Sequence, residues 1–384
     1  MNKKIAIFDY KIIATNPSGS CNKYILAGLC HEYEFTVFAV EFENPCPDHI
    51  HFVRIPAPTR PLALLFVTYH LMALLIYWFY RLFTGIKFDL VQISESNLSF
   101  GSISYTHFCH RAYLHQYWRQ VRAKGLRGWL RWLNYWLHSL IEPYVLHKIR
   151  YIVVPSQGLK KILEDTYPFT HGKITVIPNP IDLERIQLDA NFDRKSFRML
   201  QSVMVDEIVF VFVALGNFEH KGLPLILKAL KEINNYKMKL WVVGGEADVV
   251  KLWLHRVESM GLSRQVTFFG MQKDVRPFLW GADAFLFPSI YETFPLVCLE
   301  AAAAGLPLII TSLYGVDEFM KDGETGFVVD RSVESIKKGI QRFVSMTTNE
   351  RTNIGQNAQK AIRRYSITSF VSNWKDFYRM KINS

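Results

Sequence analysis

The sequence is short of cysteine and has no pairing pattern in what it has. Cys21, Cys30, Cys46, Cys109 and Cys298 are odd in number and widely spaced, and no C-x-x-C occurs. Neither a disulfide framework nor a zinc ribbon is supported, and a reducing compartment is the natural reading. No G-x-G-x-x-G follows a strand-like run, which weakens a nicotinamide enzyme. No G-x-x-x-x-G-K-[ST] is present, which excludes a P-loop. Met1–Tyr10 runs straight into a strand-like segment and lacks the apolar core of a signal peptide. No repeat of solenoid period is visible. Acids are scarce too: 34 Asp and Glu stand against 45 Lys and Arg, a formal charge of +11. An anionic partner is expected.

The 384 residues exceed one ordinary core, since domains usually stop near ~150–250 residues, so two domains are expected. A composition 49% hydrophobic and 21% charged excludes a disordered chain. The basic excess is local. Arg111–Arg150 holds eight Lys and Arg (Arg111, Arg119, Arg122, Lys124, Arg127, Arg131, Lys148, Arg150) and one acid, Glu142, a net +7 of the +11. It also holds Trp118, Trp129, Trp132 and Trp136, four of the nine tryptophans. Leu126, Trp129, Leu130, Leu133, Leu137 and Leu140 recur at helical spacing, and Arg127, Arg131, Asn134 and His138 fall on another face. Such a helix suits an anionic membrane surface. An ordinary packed helix with a solvated basic side is the competing reading. Nucleic acid is disfavoured, because no recognition motif accompanies the charge.

The apolar run Leu62–Phe83 approaches the ~20 residues that span a bilayer. Strand-like runs His51–Ile55 and Phe88–Ile93 flank it. If both belong to one sheet, a single span between them is impossible, so a buried or interfacial helix is expected.

Short Val/Ile/Phe runs alternate with helical patterns along most of the chain. The first half has Lys4–Phe8, Glu34–Val40, His51–Ile55, Phe88–Ile93, Ile103–Thr106, Tyr151–Val154 and Ile174–Ile177. The second has Ile208–Leu215, Lys239–Val243, Val266–Phe269, Ala284–Phe287, Leu308–Thr311 and Phe327–Val329. This predicts parallel sheets covered on both faces. The expected division is an acceptor-side Rossmann-like domain over 1–182, a polar linker over 183–206, and a nucleotide-binding Rossmann-like domain over 207–364. A helix over 365–384 is expected to cross back to the first domain. Two doubly wound domains would face each other across a cleft, where ligands of open α/β sheets bind.

The sharpest constellation is Tyr291–Pro307, YETFPLVCLEAAAAGLP, after the strand Ala284–Phe287. Pro295 fits a helix start, and Gly305 with Pro307 fits its end. A helix N-terminus is thus expected at Phe294–Leu296, offering N–H groups and positive potential to a phosphate. Glu292 precedes the helix and Glu300 lies within it, so they form no acid/base dyad.

This E-x7-E pattern resembles the retaining glycosyltransferases of family 4, the "group 1" class with the GT-B fold. The resemblance spans most of the chain. It includes Val176–Asp182, Leu215–Gly222, Val266–Gly270 and the loop Asn16–Gly19. It implies an α/β chain of two Rossmann-like domains that moves a sugar from a nucleoside diphosphate to a hydroxyl, with retention at the anomeric carbon. It implies that Glu292 contacts the donor sugar and Glu300 the ribose hydroxyls, for which carboxylates are strong acceptors. Lys221 matches a lysine that clamps the diphosphate. Asn217 stands where many members have an arginine, a departure shared with lipopolysaccharide-core members. Thr293, Phe294, Pro295 and Leu296 line the donor phosphate, and Met271 and Gln272 stand where the base is held. Gly19 lets the loop after the first strand approach the donor, and Ser18 replaces the usual second glycine. His107 matches a histidine facing the donor sugar, with His110 as the competing assignment and Arg111 as a phosphate aid.

No D-x-D occurs, so the metal–diphosphate site of GT-A enzymes is not indicated. Neither metal nor cofactor is implied beyond the donor itself. No carboxylate nucleophile is apparent, so same-face attack in an ion-pair-like transition state is favoured, with Lys221 and the helix terminus in place of a metal. The expected acceptor is a glycan or lipid-linked hydroxyl in cell-surface polysaccharide synthesis. The expected location is the inner face of the cytoplasmic membrane, as a peripheral protein. A nucleotide-sugar epimerase of the same fold and a non-catalytic binding scaffold remain rivals.

Overall fold

A computed structural model describes residues 3–121 and 125–383. The chain divides into two compact units, the first Met1–Pro180 with Ile367–Ser384, the second Ile181–Ser366.

The first unit runs β1 (Lys3–Ile12), α1 (Pro17–Leu29), β2 (Tyr33–Phe42), β3 (Ile50–Arg54), α2 (Leu62–Thr84), β4 (Leu90–Ser94), β5 (Ile103–Tyr105), α3 (His110–Gln116), α4 (Trp118–Val121), α5 (Gly125–Lys148), β6 (Tyr151–Val154), α6 (Gln157–Thr166) and β7 (Ile174–Val176). Its seven strands lie in the order β3-β2-β1-β4-β5-β6-β7, every pair parallel. Ile5–Phe8 are wholly buried, as expected of a strand covered on both faces. Strand order reverses between β1 and β4. In open α/β sheets that reversal opens a crevice outside the strands' carboxyl ends.

The C-terminal helix Ile367–Ile382 belongs to this unit. Tyr378 donates its hydroxyl to Gln92 Oε1 at 2.6 Å, Lys375 pairs with Glu32 at 2.6 Å, and Trp374 is fully buried. Gly28 is needed beneath it, because a Cβ there would lie 2.5 Å from Val371.

The run Leu62–Phe83 forms one helix, α2, closed by Gly85 in a left-handed conformation whose N–H reaches Arg81 O. By length and composition alone it could cross a membrane, but β3 and β4 at its ends lie in one sheet. Ala63, Phe66, Tyr69, Ala73 and Tyr77 turn inward. Leu64, Leu71, Leu75, Trp78, Phe79 and Leu82 are exposed.

Helix α5, which packs beside α2, does not bury the tryptophan face that the reading as an ordinary packed helix required. Asn134, His138, Ser139 and Glu142 are buried, while Trp129, Trp132, Trp136, Leu140 and Tyr144 are exposed. The cause is Glu142. Its carboxylate accepts from the amide of His110 at 2.9 Å, His110 Nδ1 at 2.8 Å and the Tyr167 hydroxyl at 2.7 Å. Burial pushes this carboxyl up, but the bonds from His110 and Tyr167 bring it below its ordinary value. His110 stacks on His138 at 4.3 Å. A satisfied polar network thus claims the inner face, and the tryptophans are left outside. Arg122 and Lys124 lie outside the described residues.

The second unit runs α7 (Leu183–Ile186), α8 (Arg194–Leu200), β8 (Ile208–Val213), α9 (Phe218–Lys221), α10 (Leu223–Ile233), β9 (Met238–Val243), α11 (Ala247–Ser259), β10 (Val266–Gly270), α12 (Arg276–Gly281), β11 (Ala284–Phe287), α13 (Leu296–Ala303), β12 (Leu308–Ile310), β13 (Gly326–Val328), α14 (Val333–Ser345) and α15 (Thr348–Ala361). Its sheet has the order β10-β9-β8-β11-β12-β13, all parallel, and reverses between β8 and β11. Residues 183–206 are not a free linker. Asp182 and Asp193 cap α7 and α8, and Arg198 ties α8 to Asp283 at 3.0 Å.

Candidate active site

Two loops leave neighbouring strands where the second sheet reverses. After β8, Asn217 adopts a left-handed conformation (φ 53°) and Gly222 another (φ 89°), folding the single turn α9 between them. A Cβ on Gly222 would lie 2.2 Å from Pro288 O, so only glycine lets α9 seat against the loop after β11. Ile290 donates its amide to His220 O at 3.1 Å, and His220 Nε2 meets Tyr291 O at 2.9 Å. Lys221 thereby reaches across and donates to Glu292 Oε1, which also accepts from Ser289 Oγ at 2.8 Å. The two side chains keep 24% and 15% exposure, enough for a ligand to reach them. Burial, and then Lys221, hold the His220 imidazole below its ordinary range, so no second positive charge forms there.

Helix α13 begins at Leu296 with Pro295 at its N-cap, and Cys298 already donates to Pro295 O at 3.0 Å. The expected terminus at Phe294–Leu296 therefore narrows to the amides of Leu296 and Val297. Thr293 precedes them, half-buried. The side chain of Phe294 is buried. Its ring sits against Tyr365 at 5.6 Å, and a Cβ on Gly315 would lie 2.3 Å from it, so it anchors the loop in the core. Glu300 lies one turn into α13. Burial raises its carboxyl and Arg185 of α7 opposes the rise.

Met271 and Gln272 leave the carboxyl end of edge strand β10, two strands from β8, or roughly 10 Å away at the usual spacing. Met271 is exposed, and Gln272 donates to Phe269 O at 2.6 Å. Between these loops lie Gly244 and Gly245, with φ of 104° and 88°, which the sequence reading missed. A Cβ on Gly244 would lie 2.0 Å from Ala214 O. A Gly-Gly pair directly after an apolar strand was the available signal.

In the first unit Gly19 does not sit in a loop. Helix α1 already begins at Pro17, and a Cβ on Gly19 would lie 1.9 Å from Lys11 O. The glycine lets α1 pack on its own strand. His107 follows β5. Its amide donates to Glu95 Oε1 at 2.9 Å, Nε2 faces Asn179 Oδ1 at 3.3 Å, and burial brings its pKa down to about 4. His110 is committed to Glu142, and Arg111 stacks over Tyr167 and reaches Ser139 O. Glu95, next to His107, had no place in the sequence reading, because it belongs to no spaced motif.

Two parallel doubly wound sheets of seven and six strands, with Lys221 and Glu292 paired where the second one reverses, give the chain the GT-B class of fold. Residues 200–361 match the family described as Glycosyl transferases group 1, and residues 23–185 match Glycosyltransferase Family 4. The chain belongs to the family-4, group 1 glycosyltransferases. A curated relative in Escherichia coli, UDP-Gal:alpha-D-GlcNAc-diphosphoundecaprenol alpha-1,3-galactosyltransferase, is 27% identical over 213 residues. That match covers 54% of this chain, and the chain spans about half the length of that relative, 54%. Among solved structures, WaaG, a glycosyltransferase involved in lipopolysaccharide biosynthesis, aligns with TM-score 0.76 at 18% identity, covering 97% of this chain and 99% of that one. Anabaena HepE in complex with UDP-glucose aligns with TM-score 0.73 at 16% identity, covering 98% and 99%. At these identities the two structures speak for the fold.

Proposed function

We propose that the protein transfers a sugar from a nucleoside diphosphate to a hydroxyl of a glycan or lipid-linked acceptor, with retention at the anomeric carbon. The observation that carries this reading is the Lys221–Glu292 pair at the β8/β11 reversal. A diphosphate entering there draws the ammonium away from Glu292. The freed carboxylate then accepts from donor-sugar hydroxyls. Lys221 and the amides of Leu296 and Val297 stabilise the charge that develops on the leaving diphosphate. Glu300 takes the ribose hydroxyls, while Met271 and Gln272 border the base. The UDP-sugars named for the Escherichia coli relative and for HepE favour a uridine donor. A thermal-shift panel of UDP-, GDP- and ADP-sugars, followed by NMR of the product's anomeric proton, tests it. Ligand that binds only the native state raises the melting point. No shift with any nucleotide, or an inverted product, defeats it.

The acceptor is proposed to be lipid-linked, reached by a protein resting on the inner face of the cytoplasmic membrane. Exposed Trp129, Trp136, Leu140 and Tyr144 on α5 and Leu71, Leu75, Trp78 and Phe79 on α2 support this, with Arg81, Arg131 and Lys148 on the same two helices. Apolar burial plus cationic attraction suits an anionic bilayer. Co-sedimentation with phosphatidylglycerol vesicles tests it. Binding should weaken as salt rises and fail for Trp129→Ser/Trp136→Ser; absence of binding at low salt defeats it.

A further inference from the structure

Helix α9 is a single turn, Phe218–Lys221, and one turn is too short to hold its own shape. Its residues are fixed from outside, one after another. Phe218 is buried, with its ring 6.0 Å from that of Trp253. The Glu219 carboxylate pairs with Arg256, whose guanidinium lies 4.5 Å from the centre of the same Trp253 ring. His220 is tied to the loop after β11 by both its carbonyl and its ring. Lys221 comes last, and its ammonium meets Glu292.

One further tie comes from the edge of the sheet. Arg331 stands between β13 and α14, and its Nη2 donates to Glu219 O at 3.0 Å. The same carbonyl accepts from the Gly222 amide at 3.3 Å, a longer bond. Carbonyls in the last turn of a helix lack an intrahelical donor, and a cation suits them. Arg331 thus fastens the end of α9 from which Lys221 reaches the site.

A neutral donor would make that bond with less desolvation. Arg331 is half-buried, its Nε is buried without a partner, and burial lowers its pKa. The neighbouring acid, Glu219, is already paired with Arg256. Lys221, Arg256 and Arg331 therefore outnumber Glu219 and Glu292 around one helical turn. Arg331 also opposes a charge on His220, after burial and Lys221. Fixed cations gathered in this way raise the potential that an incoming anion meets.

We infer that Arg331 is a positioning residue for sugar transfer: by fastening α9 at the Glu219 carbonyl it fixes where the Lys221 ammonium meets the diphosphate. The inference rests on the sugar-transfer reading for the identity of that anion. Arg331 acts through Lys221 and not by touching the donor itself.

The test uses the full chain as wild type, Arg331→Met, Arg331→Lys, Lys221→Ala and the Lys221→Ala/Arg331→Met double variant. Methionine keeps the apolar stem and removes every donor, and Arg331→Ala repeats that loss should the methionine variant not fold. Hydrogen exchange is followed by NMR without ligand. It should quicken about tenfold or more at the Lys221 and Gly222 amides in Arg331→Met, stay within about twofold in Arg331→Lys, and leave the β8 amides unchanged in both. Calorimetry should show UDP and inorganic pyrophosphate weakened about tenfold in Arg331→Met, and uridine by less than about twofold. In the Lys221→Ala background the same change should weaken UDP by less than about twofold, because an effect that acts through Lys221 is lost with it. Unchanged exchange at the two amides overturns the inference, and so does an undiminished UDP loss in the Lys221→Ala background. Failure of UDP and pyrophosphate to bind wild type defeats the sugar-transfer reading instead, while the exchange measurement still decides whether Arg331 seats α9.

Discussion

Lys221 and Glu292, 71 residues apart in sequence, form an ion pair across the two strands at which the second sheet reverses. Each is the other's counter-charge until a diphosphate arrives. Lys221→Ala should therefore lower kcat/KM by about 10²–10³-fold, the usual cost of losing one fixed donor to a developing charge. Steady-state turnover of the donor found in the nucleotide panel measures this. A variant within a few fold of wild type would remove Lys221 from the clamp.

Glu300 should matter to the nucleotide and not to the sugar. Charge-assisted hydrogen bonds contribute about 1.5–3 kcal/mol each, so Glu300→Gln should weaken UDP by roughly 10-fold or more. The same variant should be indifferent to removal of the ribose hydroxyls, whereas wild type should lose affinity for 2′,3′-dideoxy-UDP. Calorimetry on both nucleotides gives the comparison. Equal losses in the two proteins would contradict the ribose role.

Glu142 carries the packing of α5. Taking the buried acceptor away from His110 and Tyr167 leaves their donors unpaired, which costs about 1–3 kcal/mol for each group. Glu142→Ala should lower stability by about that much in urea denaturation. Trp136→Ser, on the exposed face, should change it by less than about 1 kcal/mol. If the two variants lose similar stability, α5 is seated the other way round.

His107 predicts an acid sensitivity. Its imidazole titrates near 6.5 unfolded and at about 4 when folded, because burial opposes its charge. Between those values the unfolded chain binds a proton that the native chain does not. Stability therefore falls as pH drops through that window, by about 3 kcal/mol at its foot. His70 and His138 are depressed too and add in the same direction, while Glu95 is raised and opposes it. Urea unfolding at pH 7 and pH 4.5 should show a difference that shrinks by about 2–3 kcal/mol in His107→Gln. An unchanged difference would mean that the ring is solvated.

Much of this architecture was legible beforehand. Buried parallel strands are continuous apolar runs, and all thirteen strand-like runs became strands. The Glu292/Glu300 spacing was legible because both residues lie on one short loop and the helix that follows it. Gly19 was read as a ligand-facing glycine, and it is a packing glycine, since only the folded chain shows Lys11 O beneath it. Residues 183–206 looked like a linker because their polarity hides the caps that fold them.

By itself the sequence determined the alternation of strand and helix, the two sheets and the E-x7-E loop, because these rest on local periodicity and short spacing. The tertiary structure alone decided which face of α5 turns inward, since Glu142 finds His110 32 residues away. It alone brought the carboxyl ends of β1, β4 and β5, where Tyr10, Glu95 and His107 lie, side by side in one sheet. Strand order brings such residues together, and no local pattern of residues encodes strand order.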